Sequence, residues 1–407
     1  MAPSVLPPNF PPRGSSSGNS STPSNGPGAP QASLTETNHS RAARLQALSL
    51  NESKESPSLI DIVSLAHQER HSDIHLGVGE RPRFRVRGQI QSTTWPITNI
   101  EVFQGWLREM LSATQIDGFF RNKEFDGAHE FPFVRVRINL MDSMRGPAMV
   151  LRLIPQKIQT LEDLNLPDVL KELAAKPKGL VLVTGPTGSG KSTTLAAMID
   201  WINQHENRHI ITIEDPVEFV HKSKQSLIRQ REVGQHTLNF KNALRAALRE
   251  DPNVILIGEI RDQGTLSTAL EASQTGHLVF GTLHTNSAVK TVERVLSMCT
   301  PEQQDSMRRS LSESLLGVIS QGLLPTTDQK MVAFHDILIN TDACRDYIQR
   351  GKLDEVEEIM KRSGFDGMTT ANQGLLVLVE KGRVAPEDAK AASFKPNELA
   401  QAFRGRQ

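Results

Sequence analysis

Cysteine is almost missing: Cys299 and Cys344 are the only two in 407 residues. Two thiols cannot build a disulfide framework or a four-cysteine zinc site, so neither device holds this chain together. Aromatic residues make up 5% of the sequence, with one Tyr and three Trp, and 46 lysines and arginines balance 46 acidic residues. A protein that tracks along nucleic acid draws on a basic surplus and on stacking aromatics. The composition supplies neither, so no direct nucleic-acid binding is expected. No apolar run approaches the ~20 residues of a membrane span, and the N-terminus has no secretory h-region. These absences predict a soluble, cytoplasmic protein, with length enough for two domains of ~100–200 residues.

What the chain does have is Gly185-Pro-Thr-Gly-Ser-Gly-Lys-Ser192, placed between the apolar run Gly179–Thr184 and the helical stretch Thr193–Ile199. Strand, glycine-rich turn and helix follow in the order a phosphate cradle requires. The backbone N–H groups of such a turn point inward, and the helix end adds partial positive charge. Gly185, Pro186, Thr187, Gly188, Ser189, Gly190, Lys191, Ser192 and Thr193 are therefore the candidate nucleotide-binding residues. Lys191 is expected to reach the β- and γ-phosphates of ATP, and the Ser192 hydroxyl to ligate Mg2+.

Composition divides the chain. Residues 1–55 are rich in Pro, Ser, Gly and Asn, too poor in apolar groups to offset their ordering entropy, and predict a disordered tail. Residues 56–156 read as a small α/β domain. Ser58–Ala66 has helical apolar spacing, Asp73–Leu76, Arg83–Arg87 and Phe133–Ile138 read as strands, and Glu101–Phe120 reads as helix. A linker is expected over 157–176, and a second domain over 177–300. There strands at Gly179–Thr184, His209–Ile213, Val254–Ile257 and Leu278–Leu283 alternate with helices, the pattern of a mostly parallel sheet. Residues 301–407, including Met307–Leu324, read as helical.

Each of those four strands ends in a polar cluster, and parallel sheets bind ligands at their carboxyl ends. Phosphoryl transfer to water needs a metal, a carboxylate to orient the water, and cations for the developing charge. Glu259 follows Val254–Ile257 and is assigned as base or metal-linked acid, with Gly258 where an Asp commonly stands. Glu214 is assigned as a second water-positioning carboxylate, while Asp215 serves either beside it or as a turn former before Pro216. His277 and His284 flank one strand seven positions apart, so a straight strand brings at most one to the crevice. His284 is the better sensor, and His277 is left facing a nucleotide across a subunit boundary. Phe240–Arg249 reads as a helix with Arg245 on a solvated face, and Arg229 and Arg231 as loop residues open to either role.

With these residues in place, the run Gly185–Thr285 resembles the ATPases that drive type II secretion and type IV pili. It carries that family's phosphate loop, its acidic box Thr212–Pro216, its atypical Walker B segment Leu256–Asp262 and its histidine box Thr275–His284. Ser72–Leu76 and Arg85–Gly88 resemble the family's PAS-like N-terminal domain. Gln230–Gly234, Ala243–Pro252, Ser312–Gln321 and Ala343–Arg350 are similar to the branch that retracts pili. The resemblance implies a PAS-like domain before a RecA-like ATPase core, assembled as a homo-hexamer that uses ATP and Mg2+. It implies that Arg137 and Arg145 complete the nucleotide site; for Arg137 an exposed strand residue is the equal alternative. It further implies an inner-membrane platform protein as partner, room for a second retraction ATPase, and a place at the inner face of the cytoplasmic membrane. The alternatives are the motor of a related machine (secretion, DNA uptake or pilus extension) and a non-hydrolysing regulatory paralogue.

Overall fold

The computed structural model describes residues 56–404, apart from 87, 155, 156 and 329. The expected tail over 1–55, and Arg87 at the end of one expected strand, lie outside the described residues. Ser58 opens α1 (Leu59–Gln68) by accepting a bond from the Asp61 N–H, and the helix buries Leu59, Ile62, Val63, Leu65 and Ala66. Strands β1 (Asp73–Gly77), β2 (Arg83–Val86) and β3 (Gln89–Ser92) follow. The stretch expected as one helix is two, α2 (Ile100–Met110) and α3 (Ala113–Asn122). The break falls at Ser112, whose side chain and that of Gln115 cap each other's backbone N–H groups, a reciprocal arrangement that starts a new helix.

Strands β4 (Glu124–Phe131), β5 (Val134–Met141) and β6 (Ala148–Ile154) complete an antiparallel sheet in the order β3-β2-β1-β6-β5-β4. On β5 the burial alternates: Val134, Val136, Ile138 and Leu140 face the core, and Arg135 and Arg137 face away from it. That alternation is the pleat made visible.

After the short helix α4 (Val169–Ala174) comes the larger sheet, built from β7 (Gly179–Thr184), β8 (His209–Glu214), β9 (Leu227–Glu232), β10 (Val254–Ile257), β11 (Leu278–Leu283), β12 (Leu315–Pro325) and β13 (Met331–Ile339). Their order is β13-β12-β7-β11-β10-β8-β9; every pairing is parallel except β12 with β13. One face packs Val181, Val183, Ile210 and Leu256 against α4 and α5 (Lys191–His205). The other packs Leu180, Leu182, Ile211, Ile213 and Ile255 against α6 (Phe240–Ala247), α7 (Gln263–Gln274) and α8 (Ala288–Ser297). Both faces are covered by helices, which is why these strands read as continuous apolar runs. This is the mostly parallel sheet that the alternating pattern predicts.

Three expectations need correcting. The linker expected over 157–176 contains α4, whose Val169, Leu170, Leu173 and Ala174 pack their apolar side chains into the core beneath the sheet. Arg229 and Arg231 lie on edge strand β9, not in a loop. Met307–Leu324 is not one helix: α9 (Pro301–Ser314) ends at Ser314 and β12 begins at Leu315. The segment Leu315-Leu-Gly-Val-Ile-Ser-Gln-Gly-Leu-Leu has no polar stripe for a helix to expose, and it contains two glycines. As a strand between β7 and β13 it is buried on both sides with partners on each edge. The core sheet thus extends to residue 339, past its expected end at 300. Helices α10 (Asp342–Gln349), α11 (Leu353–Arg362), α12 (Ala371–Glu380), α13 (Pro386–Ala392) and α14 (Pro396–Arg404) then supply the expected C-terminal helical region.

Asn340 fixes the switch from helix to strand. Its side-chain amide donates to the carbonyls of Ser312 and Leu315, both at 2.8 Å and both bonds buried. Asn340→Ala orphans two carbonyls, at about 1–3 kcal/mol for each buried group left unpaired. The expected result is a loss of about 2–4 kcal/mol of stability in guanidinium unfolding; a change below about 0.5 kcal/mol would contradict the assignment.

Candidate nucleotide site

Because the sheet is parallel, the ends of β7, β8, β10 and β11 lie on one edge, with Leu283 opposite Thr184 and Ile257 opposite Ile213. The phosphate loop, Glu214, Glu259 and His284 therefore converge where the sequence predicts. Helix α5 is preceded at its N-cap by Gly190, in the left-handed region at φ 85°, with no side chain capping its first turn. Its neighbours α6, α7 and α8 are capped by Asn239, Asp262 and Ser287. An uncapped helix start leaves N–H groups for an outside anion, and the dipole favours negative charge there.

The underside of the loop rests on β12. Gln321 donates from Nε2 to the Ser189 carbonyl at 2.6 Å and accepts from the Thr194 hydroxyl at 2.7 Å. Gly185, at φ 141°, packs so closely on β12 that a Cβ there would collide with the Gln321 carbonyl. Gly188, at φ 81°, has open space beyond it, so its requirement is conformational alone. Lys191 donates to the Gly185 and Pro186 carbonyls at 2.8 and 3.0 Å. Burial lowers its ammonium from the usual value, and the Glu259 charge opposes that shift. Ser192 is exposed on the first turn of α5, with Thr187 exposed above it and Thr193 half-buried.

Glu259 is held by its backbone and its carboxylate. Gly258 N–H donates to Ile213 O at 2.8 Å, Thr282 Oγ1 donates to Gly258 O, and Ile260 N–H donates to Thr282 O at 3.0 Å. A Cβ on Gly258 would lie 3.1 Å from Ile213 O and 3.2 Å from Glu214 Cα, close enough to press on the end of β8. One oxygen of Glu259 pairs with Arg261 at 2.7 Å and the other with His284 Nε2 at 3.2 Å. Burial alone would raise this carboxyl; Arg261 and His284 outweigh it and hold the group below its usual value. A cavity of about 290 Å³ opens beside it, lined by Arg261, His284, Thr285 and Arg294 among others.

Glu214 is folded back on its own segment. It accepts from Thr212 Oγ1 at 2.6 Å, Gln230 Nε2 at 3.2 Å and Glu218 N–H at 3.4 Å. Burial raises its carboxyl despite these bonds. Asp215 is exposed at the strand end. His277 is at the far end of β11 from His284, its Nδ1 2.9 Å from Ala272 O, so this subunit does not bring it to the crevice. Arg137 pairs with Asp126 at 2.9 Å and reaches across to Glu218 at 3.6 Å, while Arg145 is exposed in the turn after β5. Neighbouring Arg135 makes the tighter bridge between the two sheets, 3.0 Å to the buried Glu232, which also accepts from Val217 N–H.

The sequence reading missed Gln321 and Arg261. The signal for Gln321 was a lone amide inside an apolar run; Arg261 had none beyond its nearness to Glu259.

The model of the family described as "Type II/IV secretion system protein" matches residues 51–395. The chain belongs to this family. Among its members, the twitching motility protein of Neisseria gonorrhoeae is 48% identical over 76% of this chain and 83% of its own length. The type IV pilus retraction ATPase PilT of Pseudomonas aeruginosa is 44% identical over 83% of this chain and 98% of its own. In structure, the ADP-bound crystal structure of the pilus retraction motor PilT superposes with a TM-score of 0.80 at 43% identity, covering 85% of this chain and all of the other. The ATPase DotB of Legionella pneumophila gives 0.72 at 28% identity, over 84% and 97%.

No group of three or more His, Cys, Asp or Glu among the described residues is arranged to hold a metal by itself. The exposed Ser192 hydroxyl and the Glu259 carboxylate are nonetheless hard oxygen donors, and Mg2+ is commonly held by one or two such donors together with substrate phosphates. The residues fit that ion.

Gly185→Ala tests the cradle. The added methyl group displaces the loop from β12, and a nucleotide titration should show affinity reduced at least about tenfold, the loss of one well-placed bond or more. Unchanged affinity would mean that the loop does not depend on this close approach.

Proposed function

We propose that this protein is an ATP-hydrolysing motor that retracts type IV pili. The observation that carries the reading is the match to a pilus retraction ATPase along nearly that relative's whole length, joined to a crevice that holds the loop, Lys191 and Glu259 together. The triphosphate lies on the first turn of α5, with Lys191 drawn from the loop carbonyls to the β- and γ-phosphates. Ser192 and Glu259 would hold Mg2+, which when bound neutralises phosphate charge. Glu259 orients the attacking water, and Glu214 serves as the second carboxylate. Attack forms a bond from the water oxygen to the γ-phosphorus, and the bond to the β–γ bridging oxygen breaks. His284, on Glu259, reports whether that phosphate is present. Arg137, at present on Asp126 and Glu218, and Arg145, on its exposed turn, are the candidates to complete the site from the first domain. His277 serves only across a subunit boundary.

The working assembly on this reading is a homo-hexamer. It acts on a platform protein at the inner face of the cytoplasmic membrane, with room for a second retraction ATPase. On this reading the contact is peripheral, and no helix among the described residues is long and apolar enough to cross a membrane.

Two variants separate binding from chemistry. Lys191→Ala is expected to abolish both nucleotide binding and turnover, whereas Glu259→Gln should bind ATP but lose at least about 100-fold in kcat, as general-base removal does. Chelating magnesium should stop wild-type turnover. ATP binding by wild-type protein without turnover would support a regulatory paralogue instead. In cells, deletion should leave abundant pili and no twitching; normal piliation with lost secretion would assign the motor to another machine.

A further inference from the structure

Helix α8 begins four residues after His284 and is tied at its first turn to three separate parts of the molecule. Thr291, fully buried, donates its one hydroxyl proton to Ser287 O at 2.7 Å. Its oxygen therefore has only lone pairs to offer Thr285 Oγ1 at 2.7 Å and Thr184 Oγ1 at 3.3 Å. Both threonines must donate to it, and the hydroxyl is saturated. Thr184 is the residue before the phosphate loop, and Thr285 is the residue after His284. One buried oxygen on α8 thus joins the two strand ends that carry the loop and the Glu259-bound histidine.

The same helix is tied on the other side by Asp336. One carboxylate oxygen accepts from Ala288 N–H at 2.7 Å, at the start of α8; the other accepts from Ala371 N–H at 3.0 Å, at the start of α12. Burial raises the Asp336 carboxyl above its usual value against the two helix N–H groups that favour its charge, and the two bonds fix the relative position of the helices. The sheet explains how the two ties meet. Thr184 is opposite Ser320 on β12, and Ser320 is opposite Asp336 on β13, so the three form one row across the sheet on a common face. Helix α8 packs on β12 and β13, with Thr291 over one end of the row and Ala288 over the other.

We propose that Thr291 and Asp336 are positioning residues that make α8 the link between the nucleotide site and the C-terminal helices. When phosphate contacts shift the loop or His284, the Thr184–Thr291–Thr285 junction shifts α8, and Asp336 passes the movement to α12. This inference rests on the ATPase reading above and adds the route by which that site reaches α12.

The test is amide hydrogen exchange on the full-length protein, with and without a non-hydrolysable ATP analogue and magnesium. In wild-type protein the analogue should slow exchange over 286–291 and also over 371–376. Asp336→Asn keeps the shape but turns an NH2 group toward one of the two amides; it should keep the first response and lose the second. Thr291→Val removes donor and acceptor at nearly constant volume. It should lose the response at 371–376 and about tenfold in kcat, with KM within about threefold, since buried hydrogen bonds of this kind contribute on that scale. Thr291→Ser should restore both. Responses at 371–376 in Thr291→Val and Asp336→Asn equal to wild type would overturn the proposal. So would a wild-type protein that binds and hydrolyses ATP while 371–376 stays silent. If wild-type protein binds no nucleotide, the ATPase reading itself fails, which is a separate result. Should Thr291→Val not fold, Asp336→Asn and wild type decide the question alone.

Discussion

Everything at the crevice depends on the close seat of the phosphate loop on β12. A glycine-rich loop has little shape of its own, because its residues lose more conformational freedom than any others on ordering. Here the shape comes from below: the Gln321 amide reaches Ser189 O and Thr194 Oγ1, and Gly185 lies against the Gln321 backbone. Strand β12 can sit there only because it pairs in parallel with β7. The shape of the loop is therefore set by a segment more than a hundred residues downstream of it.

The electrostatics follow from the same placement. Burial raises the Glu259 carboxyl, but Arg261 and His284 outweigh it and hold the group below its usual value, while burial raises Glu214 despite its hydrogen bonds. Two carboxylates at the ends of neighbouring strands β8 and β10 thus have environments that push their proton affinities in opposite directions. The oxygen of Thr291 and the carboxylate of Asp336 extend this ordered region away from the nucleotide and into the C-terminal helices.

Much of this was legible in the sequence. The four strands that end in polar clusters fell on β7, β8, β10 and β11 because parallel strands covered on both faces read as unbroken apolar runs. The convergence of Lys191, Glu214, Glu259 and His284 then followed from topology alone. What was hidden is equally physical. Leu315–Leu324 is apolar on every side, so its periodicity could not separate a buried strand from a buried helix. With β12 misread, Gln321 had no visible purpose. The bonds of Arg137 to Asp126 and Glu218, and the turn that exposes Arg145, depend on how two sheets meet, which no local pattern records.

The central claim is that β12, through Gln321, gives the loop its phosphate-binding shape. The direct measurement is nucleotide affinity in Gln321→Leu, which preserves volume and strand burial but removes both amide contacts. The account predicts binding weakened about tenfold or more while the thermal unfolding midpoint stays within a few degrees of wild type. Affinity equal to that of the wild-type protein would contradict it.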